Sequence, residues 1–227
     1  MKGVRFMSGY KIKDLFQLDG MLFAPLFEGA ELPFEILPKI GDFIKELGKR
    51  LDSSVYETKG ENIWIAKSAC VAPTASITGP CIIGENTEVR HCAFIRGNAL
   101  IGDNCVVGNS TELKNVVLIG KVQVPHYNYV GDSVLGYGSH MGAGSITSNV
   151  KSDKTLVTVK TDEGIIKTGL KKFGAILGDC VEVGCGSVLN PGTIIGRNTN
   201  IYPLSSVRGF VPANSIYKRA GEVVEKR

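Results

Sequence analysis

Three features in the middle of this sequence carry usable chemistry. Arg96 and Lys114 are cations eighteen residues apart. His126 lies in Lys-Val-Gln-Val-Pro-His-Tyr-Asn-Tyr-Val-Gly-Asp, and Gly142-Ala-Gly-Ser145 is a short glycine-rich segment. Two cations held near each other suit a phosphate, which turns their repulsion into attraction. Histidine is the side chain best suited to proton transfer near neutral pH. The glycine-rich segment lacks the GxxxxGK[ST] pattern of a P-loop, but its backbone N–H groups can serve an oxyanion. Each feature also has a plainer reading. The cations splay into water or lean on Glu112, a lone histidine sits on a turn, and the glycines make a tight corner.

What positions these residues is a period of six. Ile65, Val71, Ile77, Ile83, Val89, Ile95, Ile101, Val107, Leu113 and Ile119 are branched aliphatics at every sixth place, and Leu177, Val183, Leu189, Ile195, Ile201 and Val207 repeat the pattern. Tyr129, Leu135 and Met141 keep it more loosely between the two runs. Four places after most of the first set stands a small residue, from Ala69 through Thr111. No α-helix or ordinary strand has this period. A triangular coil does, with three short strands per turn of about eighteen residues, the aliphatic pointing inward and the small residue near a corner. Glycine directly after the aliphatic, as at Gly84, Gly102 and Gly108, is expected to ease the turn. About seven coils are expected, stacked about 4.8 Å apart. Arg96 and Lys114 then share one edge in adjacent rungs, where their repulsion is on the order of 3 kcal/mol. The register slips near His126, which is expected to push that side chain out of the wall.

The flanks read differently. Phe34, Leu37, Ile40, Phe43, Ile44, Leu47 and Leu51 fall at helical spacing and predict a helix near 36–52, weakened by Gly48. Residues 1–60 thus form a helical or irregular extension, 61–212 the coil and 213–227 a tail, read as a short basic helix. Residues 152–172 break the period, and 155–160 and 165–168 around Asp-Glu-Gly read as an inserted hairpin. The six cysteines form no CxxC pair and read as reduced, small, buried side chains. With 28 glycines in 227 residues the chain is turn-rich. A net charge of +4 without a dense basic block does not imply nucleic acid. No apolar run approaches a membrane span, and the N-terminus lacks the order of a signal peptide, so a cytoplasmic protein is expected.

The stretch Arg96 … Gly-Asn-Ser-Thr-Glu112-Leu-Lys114 … Pro-His126-Tyr-Asn-Tyr129-Val-Gly-Asp … Gly-Ala143-Gly-Ser-Ile-Thr-Ser-Asn149 resembles the acetyltransferase domain of the bifunctional glucosamine-1-phosphate acetyltransferase/N-acetylglucosamine-1-phosphate uridyltransferase family. The family pattern R…GNFVEVKN…GHLTYLGD…GAGTITCNYDG…K matches without a gap from Arg96 to Tyr129. Archaeal sugar-1-phosphate enzymes that join nucleotidyl- and acetyltransferase activities are at least as similar, in carrying Val-Pro-His and a hairpin after Asn149. The resemblance covers about 65–212 and implies a left-handed parallel β-helix, an all-β solenoid, assembled as a homotrimer.

The resemblance also implies roles. Arg96, Lys114, Tyr129 and a later lysine hold the sugar phosphate, the lysine best matched by Lys172, with Lys154 and Lys171 as alternatives. His126 is the general base that takes a proton from the amine as it attacks the acetyl-CoA thioester. Glu112 and Asn149 position the amino sugar, and the Ala143 N–H stabilises the oxyanion. The co-substrate acetyl-CoA lies in a groove between neighbouring prisms, near Cys185 and Pro203, with Lys218 and Arg219 toward its phosphates; no metal is required. His140 stands where the family commonly has an asparagine that contacts the sugar, and Val150 replaces a tyrosine, two departures on the acceptor side. No Gly-rich GGxGTR motif occurs here, so no uridyltransferase domain is expected in this chain. The activity implied is N-acetylation of an amino-sugar 1-phosphate on the route to nucleotide sugars such as UDP-N-acetylglucosamine. A rival reading is a non-catalytic β-helix module that binds a sugar nucleotide or a separate nucleotidyltransferase, with the helix of residues 1–60 docking on the other chain. A zinc β-helix hydratase needs three interfacial histidines, and the spacing of His91, His126 and His140 does not fit.

Overall fold

The computed structural model describes residues 9–226. Three parallel faces wind into a prism. Eight strands stack on the first face, where the period predicted about seven coils. They are Ile63–Ala66, Cys81–Ile83, Ala99–Ile101, the ends of Glu112–Leu118 and Tyr129–Leu135, Ala175–Leu177, Thr193–Ile195 and Phe210–Val211. The second face runs from Cys70–Val71 to Ser215–Arg219, and the third from Ser76–Ile77 to Ser206–Val207. The inward residues of all three faces form one core, with Ile83, Ile95, Val107, Leu113, Leu177 and Leu189 fully buried.

Apart from the expected insertion, the period is shortened three times, by one residue twice and by two between Val207 and Val211, and none of these places is at His126. Leu113 pairs with Ile95, eighteen residues back, but Leu118 pairs with Ile101, seventeen back. Val116 and Leu118 therefore turn inward after Leu113, Leu118 stands where Ile119 was expected, and Ile119 faces outward into a second cluster. The same shortening recurs between Val130 and Leu135. His126 lies in an unshortened stretch between inward Val124 and Val130. All of the missing residues fall at the edge joining the third face to the first. There Arg96-Gly97-Asn98 in one rung is matched by Lys114-Asn115 and then Gly131-Asp132 in the next two. The glycines after the core aliphatics also have another cause than a left-handed turn. The rungs approach too closely for a side chain: a Cβ on Gly102 would lie 2.2 Å from the Ile119 carbonyl oxygen.

The first face is apolar on its outer side as well. Ile82, Leu100, Val117, Val134, Ile176 and Ile194 project outward yet are buried in a second cluster with the N-terminal segment. That segment folds as a short helix Ile12–Leu15, 3-10 turns Ala24–Phe27 and Pro33–Lys39, and the helix Ile40–Gly48. The predicted helix near 36–52 is thus shorter. In an α-helix the Pro38 ring would clash with the carbonyl four residues back, and the chain is 3-10 until Lys39. Gly48 ends the helix against the Trp64 ring, which a Cβ would meet at 2.4 Å. Ile40, Ile44 and Leu47 bury this helix on its own coil. Its apolar face is thus taken up within the chain, and the expected docking on another chain is corrected. The first rung also begins inside the expected extension, since Tyr56–Gly60 pairs antiparallel with Ile63–Ala66.

The inserted hairpin is present as Thr158–Thr161 and Gly164–Lys167. Val157 and Val159 are fully buried in the second cluster, so it completes the cover of the first face. The expected C-terminal helix is instead a hairpin, Ser215–Arg219 with Glu222–Glu225, turning at Gly221 with φ +78°. Ser215 and Tyr217 alternate inward and close the last rung beside Ile201, a period of two that overrides the helical reading. Of the cysteines, Cys81 and Cys105 are buried, with thiols pushed up to about 12 by burial. Cys70, Cys92, Cys180 and Cys185 are exposed at or beside corners, which corrects the expectation that all six are buried.

Candidate functional site

The edge between the third and first faces gathers most of the expected phosphate site. Lys114 sits directly over Arg96, because Leu113 pairs with Ile95 and the Arg96 N–H bonds the Leu113 carbonyl. Neither cation is bare. Arg96 Nη1 donates to Glu112 Oε1 at 2.6 Å, and Lys114 Nζ donates to Asp132 Oδ1 and Oδ2 at 3.3 and 3.2 Å. The plainer reading of Glu112 as a compensating charge therefore holds, and a second carboxylate does the same for Lys114. Asp132 is only 5% exposed. It also accepts from Asn115 Nδ2 at 3.0 Å and from Asn149 Nδ2 at 2.5 Å. Asn149 Nδ2 donates in addition to Tyr129 Oη at 3.2 Å. Burial, reinforced by the Asp132 charge, pushes the Tyr129 hydroxyl above its usual range, so the phenol stays protonated as a donor. Gly131 leaves room for that ring: a Cβ there would stand 2.5 Å from Tyr129 Oη.

The inserted segment leaves from this edge and returns to it. Phe173 N–H bonds the Asn149 carbonyl at 2.9 Å, and Gly174 N–H bonds the Asp132 carbonyl at 2.8 Å. Lys172 thus returns beside Asn149 and is exposed. Lys151, rather than Lys154, leans on Asp153 and Thr155.

A second edge, between the second and third faces, carries His126. Its corners are tied by one hydrogen bond per rung: Gly144 N–H to the His126 carbonyl, Gly186 N–H to the Ala143 carbonyl and Leu204 N–H to the Cys185 carbonyl. His126, Ala143, Cys185 and Pro203 therefore form one line along the prism, about 4.8 Å per rung. Lys218 and Arg219 follow Tyr217, which pairs with Ile201, and so stand at the end of this line. Glu222 engages both. The imidazole of His126 is exposed. Its backbone is set by Asn128, 3% exposed, whose Oδ1 accepts from His126 N–H at 3.1 Å. Asn128 Nδ2 donates to the Gly142 and Ser145 carbonyls at 2.9 and 3.1 Å. The Ala143 N–H has no partner among the described residues; the Cys185 N–H shares this, as a corner of this geometry leaves its middle N–H outward.

One expected residue stands apart. His140 lies on the outer side of the second face, with Nδ1 2.8 Å from Glu182 Oε2, and shares no contact with Arg96, Lys114 or Tyr129 within the chain. Asp132 and Asn128 were missed by sequence reasoning. Asp132 had a signal, a carboxylate where Asn98 and Asn115 fill the preceding rungs.

The family model described as the GMPPB C-terminal domain matches residues 77–195, which include both edges. A bifunctional protein GlmU of Methanococcus vannielii is 32% identical over 112 residues, 49% of this chain and 27% of that protein. A bifunctional sugar-1-phosphate nucleotidylyltransferase/acetyltransferase of Sulfurisphaera tokodaii is 34% identical over 104 residues, 46% of this chain and 26% of that protein. The chain thus spans about a quarter of the length of these curated relatives. Among solved structures, a hexapeptide transferase family protein from Anaplasma phagocytophilum aligns at 15% identity with a TM-score of 0.39, over 72% of this chain and 78% of that one.

Proposed function

The chain belongs to the GMPPB C-terminal domain family, and from that premise we propose that it is an acetyl-CoA-dependent N-acetyltransferase acting on an amino-sugar 1-phosphate. The observation that carries the reading is the pairing of two edges in one stretch. Arg96, Lys114, Tyr129 and Asn149 converge on one, and His126 stands over the Ala143 N–H on the other. Sequence similarity to a sugar-1-phosphate nucleotidylyltransferase/acetyltransferase supports the same substrate class.

In this mechanism the phosphate bridges Arg96 and Lys114 and accepts from the Tyr129 hydroxyl, with Lys172 closing over it. Glu112 and Asn149 orient the sugar. His126 takes a proton from the 2-amine as the nitrogen attacks the thioester carbonyl carbon. The Ala143 N–H donates to the oxygen that becomes negative. The C–N bond forms, the C–S bond breaks, and the leaving thiolate takes up a proton, giving the N-acetyl sugar phosphate and CoA. Attack is direct, so Cys185 is a wall residue beside the thioester and not a nucleophile. Acetyl-CoA lies along the line His126, Ala143, Cys185, Pro203, with Lys218 and Arg219 near its phosphates. A homotrimer would bring a neighbouring chain against this line and let His140 reach the sugar from another subunit.

A second reading keeps the β-helix as a sugar-nucleotide or nucleotidyltransferase-binding module without turnover. Two observations favour it: Arg96 and Lys114 are each already neutralised, and the matching family is described as a C-terminal domain. The deciding experiment is thiol release from acetyl-CoA with glucosamine-1-phosphate, glucosamine or galactosamine-1-phosphate, with His126→Ala as control. Release that needs both the 1-phosphate and His126 supports acetyl transfer. A folded protein that releases thiol with none of the three amines overturns it in favour of the binding module.

A further inference from the structure

Asp132 occupies a position where the fold asks for no charge. It is the left-handed residue of its corner, with φ +48°, and the same corner in the two preceding rungs is made by Asn98 at φ +50° and Asn115 at φ +54°. Asparagine thus supplies the backbone conformation, and the carboxylate must be explained by what it touches. It touches only side-chain donors: Lys114 Nζ, Asn115 Nδ2 and Asn149 Nδ2. Faced only by N–H donors, its oxygens serve as acceptors. Asn149 must therefore turn its NH2 inward to Asp132 Oδ2, which leaves Asn149 Oδ1 outward as an acceptor. The same NH2 donates to Tyr129 Oη, so the Tyr129 hydrogen is released outward as a donor.

We propose that Asp132 is a positioning residue that fixes the Asn149 amide, the Tyr129 hydroxyl and the Lys114 ammonium in the orientation that receives a phosphorylated amino sugar. The inference rests on the acetyl-transfer reading for its substrate. Asparagine at 132 would present its own NH2 to Asn149, and the Asn149 amide would then be free to flip. Its oxygen would point inward and its NH2 toward the substrate, reversing the polarity that the sugar meets.

The test is a cycle of Asp132→Asn, Asn149→Ala and the double variant, read as kcat/KM for glucosamine-1-phosphate with thermal midpoints beside it. Asp132→Asn is expected to lower kcat/KM about thirtyfold, on the scale set by small errors in positioning. The double variant should fall by less than the product of the two single losses, because the part carried by Asn149 is already gone and only the Lys114 part remains. The midpoint of Asp132→Asn should fall no further than that of Lys114→Ala, because both break the same buried pair and asparagine still fits the corner. Losses that multiply, or full turnover in Asp132→Asn, overturn the proposal. A parent protein that turns over no amino sugar overturns only the acetyl-transfer reading. Asp132 is then judged by alkaline spectrophotometric titration of Tyr129, isolated by difference against Tyr129→Phe. The Tyr129 midpoint should fall in Asp132→Asn, and an unmoved midpoint overturns the coupling.

Discussion

The two edges of the prism solve the same problem, placing a polar group on a stacked coil, by opposite means. On the His126 edge every rung has full length, the corners are tied by one backbone bond per rung, and the buried organiser is a neutral amide, Asn128. On the Arg96–Lys114 edge two rungs each lose a residue and the last loses two, a whole segment is inserted, and the buried organiser is a carboxylate. The difference follows from what each edge holds. A single imidazole needs only a rigid backbone beneath it. Two stacked cations need counter-charge, and counter-charge at rung spacing needs the shorter corner that sets Asp132 beside Lys114. The neutral edge is thus positioned by main chain, and the charged edge by side chains.

That contrast sets the order of the predictions. His126→Ala should cost the most, about 10²- to 10⁴-fold in kcat, as loss of a general base does. KM for the 1-phosphate acceptor should change little, and the fold should be intact by circular dichroism, since the imidazole is exposed. Next come Arg96→Ala and Lys114→Ala. Each removes one charge-assisted contact, and KM for glucosamine-1-phosphate should rise about ten- to a hundredfold, while any activity on unphosphorylated glucosamine is untouched. The two are not equivalent. Lys114→Ala strands the buried Asp132 carboxylate and should also lower the thermal midpoint. Arg96→Ala leaves only the part-exposed Glu112 and should not. Equal midpoints in the two variants would erase the distinction between organised and merely paired cations. Asn128→Ala should be milder, about tenfold in kcat, with the His126 backbone loosened, and a KM effect in place of a kcat effect would break its assignment to the neutral edge.

Much of this architecture is legible in the order of the residues, because period six converts spacing into position. The inward aliphatics from Ile65 to Leu113, the stacking of Lys114 on Arg96 and the inserted hairpin all follow from counting. Counting fails where one residue is missing. The period itself carries Ile119 past its rung, because the deletion at 114–118 leaves Val116-Val-Leu-Ile119 apolar throughout and hides which residue turns in. The covered first face is legible too, in the recurring triplets Cys81-Ile-Ile83, Ala99-Leu-Ile101 and Ala175-Ile-Leu177, whose middle residue is apolar when an open face would make it polar. The C-terminal hairpin misleads because its rung-closing role depends on Ile201, fourteen residues before its start. Asp132 and Asn128 escape because their importance lies in partners from other rungs.

A last comparison isolates what makes Asp132 part of the site and not of the scaffold. The third edge holds another buried aspartate, Asp179, 8% exposed. It too accepts three donors, but they are the backbone N–H of Gln17, the backbone N–H of Tyr137 and Arg197 Nη2 at 2.6 Å. Arg197 Nε and the Asp179 N–H both donate in turn to the Leu15 carbonyl. These contacts fasten the N-terminal segment to the coil and touch nothing near His126 or Lys114. Asp179→Asn should therefore cost about 1–3 kcal/mol in stability, by weakening the Arg197 contact and setting an amide NH2 against a backbone donor. In a chain of this size that is roughly 2–4 °C of thermal midpoint per kcal/mol. Its kcat/KM at a temperature where both proteins are folded should equal the parent's. Asp132→Asn should differ in losing activity at a temperature where it is fully folded, beyond anything its own midpoint explains. If both variants lose both properties together, the two aspartates are doing one structural job, and the division of the prism into a scaffold edge and a site edge falls with it.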